Sequence, residues 1–165
     1  MEQQIIVSVP HTGSRFLQER LGISGLVHTT SDWDYILFRT DGRQVVTPLR
    51  SPLANWLSWS KKTRNLTMQR LADWYDAWYT LHALAQIKTI DFICIEKQSD
   101  SRISNWSKVG HNEKAVHEHN LPYLKKVYEL PLVKAHYTLQ DDLINHFGRK
   151  EIRWIYSLDE AGYHV

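Results

Sequence analysis

The feature that most constrains the fold is the start of the sequence, where a short apolar run leads through a turn into a helical pattern. Residues 5–9 read Ile-Ile-Val-Ser-Val, a β-branched run typical of strands buried in a parallel sheet. The run breaks at Pro10 and Gly13, and apolar residues then recur at helical spacing as far as Gly22. The sequence therefore predicts a strand, a tight loop and a helix, an arrangement whose backbone N–H groups and helix dipole favour phosphate.

The rest of the chain alternates between strand and helix patterns. Further strands are predicted over residues 26–28, 44–49, 90–96 and 152–156. Helices are predicted after Ser51 and over residues 67–86, 121–130 and 139–147. Residues 97–120 show little periodicity and are predicted to form a mobile loop. We expect an α/β fold, a three-layer open, mostly parallel sheet flanked by helices, as one domain over residues 1–165.

Several apolar side chains repeat at helical steps and are predicted to form the core. They are Leu71, Trp74, Trp78, Leu81 and Ala85 in the clearest helical pattern, with Trp56 and Trp59 in the preceding one. At these steps the tryptophans are better explained as core residues than as a platform for stacking bases.

Charge and cysteine content limit the partners and the compartment. The formal net charge is +2, from 20 basic and 18 acidic residues, which disfavours a dedicated nucleic-acid binder and requires any anion site to be local. Cys94 is the only cysteine, which excludes an internal disulfide and a cysteine-based zinc site. The opening apolar run is too short for a signal peptide or a membrane span. We therefore expect a cytoplasmic protein that is not inserted in a membrane.

The loop after the first strand has the residue types that an anion needs. Thr12, Gly13 and Ser14 are small enough to let an anion approach the backbone, and two of them carry hydroxyl donors. His11 and Arg15 can add positive charge. The ATP-binding loop of kinases and ATPases requires a lysine directly after its last glycine, and Ser14 stands there instead. A standard ATP site is therefore disfavoured.

Two elements together resemble the donor site of sulfotransferases. The run Pro-His-Thr-Gly-Ser over residues 10–14 is similar to the family's 5′-phosphosulfate loop, although His11 stands where the family has Lys or Arg. Arg50 ends a predicted strand and Ser58 follows eight residues later on a predicted helix, a spacing similar to the pair that holds the 3′-phosphate in that family. The resemblance implies a P-loop NTPase-like, sulfotransferase-like fold, 3′-phosphoadenosine 5′-phosphosulfate as donor and no metal.

The resemblance also implies roles for further residues. An aromatic helix leads into a strand that ends near Glu96, the one residue kept from a family signature, and residues 148–150 faintly resemble a C-terminal nucleotide-contacting loop. His28 lies where cytosolic members carry the base that takes the proton of a hydroxyl or amine acceptor. His11, with Ser14 or Arg15, would stabilise charge on the leaving phosphate. The segment between the loop and His28 is shorter than in full-size members, so the acceptor pocket is expected to differ.

Each of these residues also has a purely structural interpretation. The loop can be an ordinary strand-to-helix turn, Arg50 can pair with a carboxylate, and His28 can be a hydrogen-bonded structural histidine. Three functions therefore stay open: a compact sulfotransferase, a divergent P-loop nucleotide kinase, and a noncatalytic interaction protein that keeps the fold. A metal site at His111, His117 and His119 lacks the paired spacing that such sites show.

Overall fold

The computed structural model of the protein describes residues 3–63, 68–100 and 120–151. The strands are β1 (Gln4–Ser8), β2 (Leu26–His28), β3 (Gln44–Leu49) and β4 (Ile90–Cys94), with a 3₁₀ turn over Ile95–Lys97. The helices are α1 (Ser14–Leu21), α2 (Trp33–Thr40), α3 (Pro52–Thr63), α4 (Met68–Ile87), α5 (Leu121–Tyr128), α6 (Pro131–Lys134) and α7 (Leu139–Glu151).

The chain divides into two compact units. The sheet unit comprises Met1–Arg50 with Asp76–Gln98, and the helical unit comprises Ser51–Tyr75 with Ser99–Val165. The expectation of one domain over residues 1–165 stays a prediction, because this division does not test whether the two units fold independently.

The sheet is parallel throughout its four strands, in the order β2-β1-β3-β4. Ser8 on β1 is aligned with His28 on β2, and Ile5 on β1 is aligned with Val45 on β3. Pro48 on β3 lies beyond the part of that strand that pairs with β1, which accommodates a residue without an N–H group in a central strand. The predicted α/β fold with a parallel sheet is confirmed.

Side chains on the strands alternate between two apolar faces. On one face Ile5, Val7 and Val45 pack with Ile36 of α2 and Leu84 of α4. On the other face Ile6 and Val46 pack with Leu17 of α1 and with Ile23. Because strand side chains alternate, one sheet buries both faces under helices, and the predicted three-layer arrangement is confirmed.

Glycine and a capping aspartate set the ends of the first two helices. Gly22 follows α1 with φ of 65°, a left-handed conformation that glycine adopts at little cost, so the predicted helix stop is confirmed. The Asp32 carboxylate accepts hydrogen bonds from the backbone N–H groups of Asp34 and Tyr35 and begins α2. The sequence pattern did not predict α2, because it buries few residues and leaves Tyr35 and Phe38 exposed.

Three predicted elements differ in their limits. β4 ends at Cys94 rather than continuing to residue 96, since the chain turns into the 3₁₀ helix. The helix predicted over residues 121–130 ends at Tyr128, and Leu130 is extended (φ −62°, ψ 132°) before a separate short helix that begins at Pro131. α7 extends to Glu151 and contains residues 148–150. The strand predicted over 152–156, the three histidines of the metal hypothesis and most of the predicted loop lie outside the described residues.

The helical unit is built on α3, which contacts α5 and α7. Trp56, Trp59 and Trp74 are buried there, and the rings of Trp56 and Trp74 lie 5.4 Å apart. The indole N–H of Trp74 donates to Asn55 Oδ1 at 2.6 Å, so this buried polar atom is satisfied. In the sheet unit Trp78 is also buried, and the predicted core tryptophans are therefore confirmed. In the part of the chain that the structure describes, no helix combines the length and apolarity that crossing a membrane requires.

Candidate functional site

The candidate site lies in the sheet unit at the carboxyl ends of β1 and β3. After β1 the chain continues to β2 on one side, and after β3 it continues to β4 on the other side. The connections that leave β1 and β3 therefore run in opposite directions. In open parallel sheets such a topological switch point opens a crevice where ligands bind. The loop after β1 and Arg50 after β3 both lie at this point, which the sequence alone could not establish.

The backbone of the β1 loop is bent by two residues with positive φ. His11 has φ of 67° and Gly13 has φ of 94° and ψ of 28°. For a non-glycine residue this conformation costs about 1–2 kcal/mol, and such strain concentrates at functional sites. Thr12, between them, is fully buried, and its hydroxyl donates to the Val9 carbonyl at 2.6 Å. The Thr12 hydroxyl therefore holds the bend.

The N-terminus of α1 follows directly from this bend. Its first backbone hydrogen bond within the turn runs from the Leu17 N–H to the Gly13 carbonyl at 3.1 Å. The preceding N–H groups have no acceptor inside the helix, and Gly13 brings no capping side chain. No acidic residue occupies the first turn, where Ser14 is nearly buried and Arg15 is exposed. The local field therefore favours an anion.

Arg50 is joined to the loop by a direct hydrogen bond. Its Nη1 donates to the carbonyl oxygen of His11 at 3.1 Å, and only 8% of the residue is exposed. A guanidinium has five N–H donors in a fixed fork, and burial strengthens its field by reducing the screening of water. The structure thus brings together two predicted site residues that lie far apart in the sequence.

Ser58 belongs to the helical unit. It lies on α3, seven positions along from Ser51, and its side chain is half-buried. Its expected action together with Arg50 on one phosphate stays a prediction.

His28 lies at the same edge of the sheet as the loop. It ends β2 beside Ser8, and its Nδ1 is 3.1 Å from the Ser8 hydroxyl oxygen. Both side chains lie on the face covered by α1, as the alternation of buried residues along β1 and β2 shows. Sequence analysis missed Ser8, because only the alignment of β1 with β2 brings it to His28.

The end of β4 contributes charged residues at the same edge. Glu96 and Lys97 lie in the 3₁₀ turn and are exposed, while the Cys94 thiol is half-buried. Glu96 therefore lies at the carboxyl edge, as its place after a parallel strand predicts, and the structure gives it no assigned role.

A second polar cluster lies inside the helical unit. The Tyr128 hydroxyl accepts a hydrogen bond from the Leu53 N–H at 2.9 Å and donates one to the carboxylate of Asp142. Burial raises the pKa of Tyr128 well above 10, and the nearby Asp142 carboxylate raises that pKa further. The cluster satisfies the Leu53 N–H in the first turn of α3, so its evident role is structural.

No protein-family model matches the sequence, and comparisons with curated proteins and with solved structures also give no match.

Proposed function

We propose that this protein binds 3′-phosphoadenosine 5′-phosphosulfate and transfers its sulfuryl group to a hydroxyl or amine acceptor. The observation that carries the proposal is the hydrogen bond between Arg50 and the loop that contains His11 and Gly13. A bent loop, the start of a helix and a buried guanidinium at one switch point form a site of positive potential suited to a phosphorylated ligand. The sulfotransferase resemblance supplies the particular nucleotide.

Within this proposal the donor is held at two places. The 5′-phosphosulfate lies against the N–H groups of Thr12, Gly13 and Ser14, with the Ser14 hydroxyl and the side chain of Arg15 adding donors. The 3′-phosphate is held by the guanidinium of Arg50. Hydrogen bonds to charged groups contribute about 1.5–3 kcal/mol each, so a few of them give micromolar affinity.

The transfer step needs positioning and charge stabilisation rather than a covalent intermediate. The acceptor oxygen or nitrogen forms a bond to sulfur while the bond from sulfur to the bridging phosphate oxygen breaks. The electron pair of that bond leaves with the nucleotide as adenosine 3′,5′-bisphosphate, whose charge the loop N–H groups and His11 stabilise. In the family's scheme the acceptor's proton goes to His28, which requires an imidazole whose Nε2 carries no hydrogen.

A reducing cytoplasmic location, in which Cys94 remains a thiol, is part of the proposal. The acceptor is a small molecule or a macromolecule of unassigned chemistry.

Calorimetric titration with adenosine 3′,5′-bisphosphate tests the donor site, with ATP and magnesium as the competing ligand. We expect the bisphosphate to bind more tightly to the wild-type protein, and Arg50→Ala to weaken it by about 10- to 100-fold, the loss of one or two charge-assisted bonds. Arg39→Ala is the matched control, because Arg39 contacts Tyr35 on the exposed side of α2. Its affinity should equal that of the wild type.

The other outcomes distinguish the alternatives. Preferential binding of ATP with magnesium would favour a divergent nucleotide kinase. If neither nucleotide binds, the donor site is absent and a noncatalytic interaction protein becomes the better hypothesis. Where the bisphosphate binds, its release from the phosphosulfate in the presence of candidate acceptors measures turnover.

A further inference from the structure

Ser8 and His28 form a hydrogen-bonded pair whose direction decides the chemistry of the imidazole. The Ser8 hydroxyl oxygen lies 3.1 Å from His28 Nδ1, and Ser8 is fully buried. The bond can form in two ways, with the hydroxyl donating to Nδ1 or with an Nδ1–H donating to the hydroxyl oxygen. In the first case neutral His28 carries its hydrogen on Nε2, and in the second case Nε2 has a lone pair.

The burial of Ser8 selects the first direction. Among the residues that the structure describes, His28 Nδ1 is the hydrogen-bond partner of the Ser8 hydroxyl. If Nδ1 carried the hydrogen, the hydroxyl hydrogen of Ser8 would be buried without an acceptor. Leaving a buried donor unpaired is costly, whereas donation to Nδ1 satisfies both groups.

We propose that Ser8 holds neutral His28 in its Nε2–H tautomer, and that His28 donates from Nε2 to an anionic oxygen of the bound phosphosulfate. This second part rests on the proposed function, because it requires that nucleotide at the carboxyl edge of the sheet. In this tautomer Nε2 has no lone pair for the acceptor's proton, which passes to solvent water instead. Ser8 is then a positioning residue, and His28 stabilises charge instead of acting as the base.

The ring of His28 lies at the same carboxyl edge of the sheet as the proposed site. His28 is the last residue of β2, on the sheet face that α1 covers, while the strained loop leaves the neighbouring β1 two residues after Ser8. The ring is half-buried, and Nε2 is the ring nitrogen opposite the one that Ser8 occupies. A neutral donor there adds a hydrogen bond to an oxyanion without adding a formal charge.

The tautomer can be measured on the wild-type protein without nucleotide. In ¹⁵N-histidine-labelled protein, at a pH where the ring is neutral, long-range ¹H–¹⁵N spectra distinguish protonated from unprotonated ring nitrogens, and His28→Gln assigns the signals. We expect an unprotonated Nδ1 and a ratio of Nε2–H to Nδ1–H about fivefold or more above that of a short histidine peptide. An Nδ1–H ring, or the peptide's ratio, would overturn the proposal.

Two variants separate positioning from packing. Ser8→Ala should return the ratio to that of the peptide, and Ser8→Thr, which keeps the hydroxyl, should preserve it. A ratio that is unchanged in Ser8→Ala would show that Ser8 does not set the tautomer.

Addition of 3′-phosphoadenosine 5′-phosphosulfate tests the donor role of His28, which is the hydrogen bond from its Nε2–H to the nucleotide. We expect the Nε2–H proton of His28 to move downfield at saturation, as it does on bonding to an anion. Nucleotide binding without this change overturns the donor role and leaves the proposed function in place. Absence of nucleotide binding overturns both the proposed function and the donor role, while the tautomer measured without ligand is unaffected.

Discussion

The sheet unit and the helical unit use buried polar groups in opposite ways. In the sheet unit three of them, Ser8, Thr12 and Arg50, lie at or just beyond the carboxyl ends of β1 and β3, where the backbone is bent at His11 and Gly13. In the helical unit they lie inside, where Tyr128, Asp142 and the Leu53 N–H satisfy one another. Backbone strain at an exposed sheet edge is typical of ligand binding. Buried polar groups that are all hydrogen-bonded to one another are typical of a role in stability. Substitutions in the two units should therefore separate affinity from stability.

The largest expected effect is on stability and comes from Tyr128→Phe. The variant removes the acceptor of the Leu53 N–H and the donor to Asp142, and we expect it to lower the free energy of unfolding by about 3 kcal/mol. Urea unfolding followed by tryptophan fluorescence measures the loss. Tyr123→Phe on the same helix is the control, with a change of about 0.5 kcal/mol or less, since Tyr123 is only half-buried.

Equal stability in the two tyrosine variants would contradict the role given to the inner cluster. The folded fraction of Tyr128→Phe should still bind the bisphosphate with wild-type affinity. A loss of affinity would mean that the contrast between the units is wrong.

A smaller effect on stability, with a loss of affinity, is expected for Gly13→Ala. Gly13 has φ of 94°, so a side chain there costs about 1–2 kcal/mol and displaces the N–H groups proposed to hold the phosphosulfate. We expect the bisphosphate affinity to fall by about tenfold or more, because charge-assisted bonds are lost.

Gly42→Ala is the matched control for Gly13→Ala. Gly42 also has positive φ, 65°, and a Cβ there would meet nothing within 4 Å. The loss of stability in Gly42→Ala therefore comes from backbone strain, as part of the loss in Gly13→Ala does. Thermal unfolding should show a loss in both variants, and calorimetry should show a loss of affinity only in Gly13→Ala. Equal affinity for the bisphosphate in both variants would contradict the proposal that the β1 loop binds the nucleotide.

The smallest effect is a dependence of stability on alkaline pH. The pKa of Tyr128 is raised in the folded protein, by burial and by Asp142, above its unfolded value of 10.0. Below pH 10 both states hold the proton and the contribution is fully present. As the pH rises from about 10 toward the folded pKa, only the unfolded state loses the proton, so stability falls. Above pH 10 the free energy of unfolding should decline less steeply in Tyr128→Phe than in the wild type. An identical decline in the two proteins would exclude Tyr128 as its cause.

The sequence predicted the elements whose burial leaves a periodic signal. The β-branched run of β1 and the helical spacing of Leu71, Trp74 and Trp78 mark surfaces that are buried in the structure. α2 was missed because Tyr35 and Phe38 are exposed. The apolar residues of this helix are therefore not confined to the face that is buried.

The candidate site could be predicted only as a set of local patterns. The loop and Arg50 were found from residue types, and their contact depends on the order of the strands, which places β3 beside β1. The bond between Ser8 and His28 depends on register, since a shift of one residue would turn one side chain to the other face. Register is a property of the assembled sheet and has no signature within either strand.

The hydrogen bond from Arg50 to the His11 carbonyl has a consequence for how the site forms during folding. It joins residues that are 39 positions apart in the sequence, so the chain must close a long loop before the bond exists. During synthesis the β1 loop emerges first and lacks this contact until β3 has been made and has paired. The proposed anion site is therefore expected to form late in sheet assembly, and a fragment that ends before β3 contains the loop sequence without the bond that supports its shape.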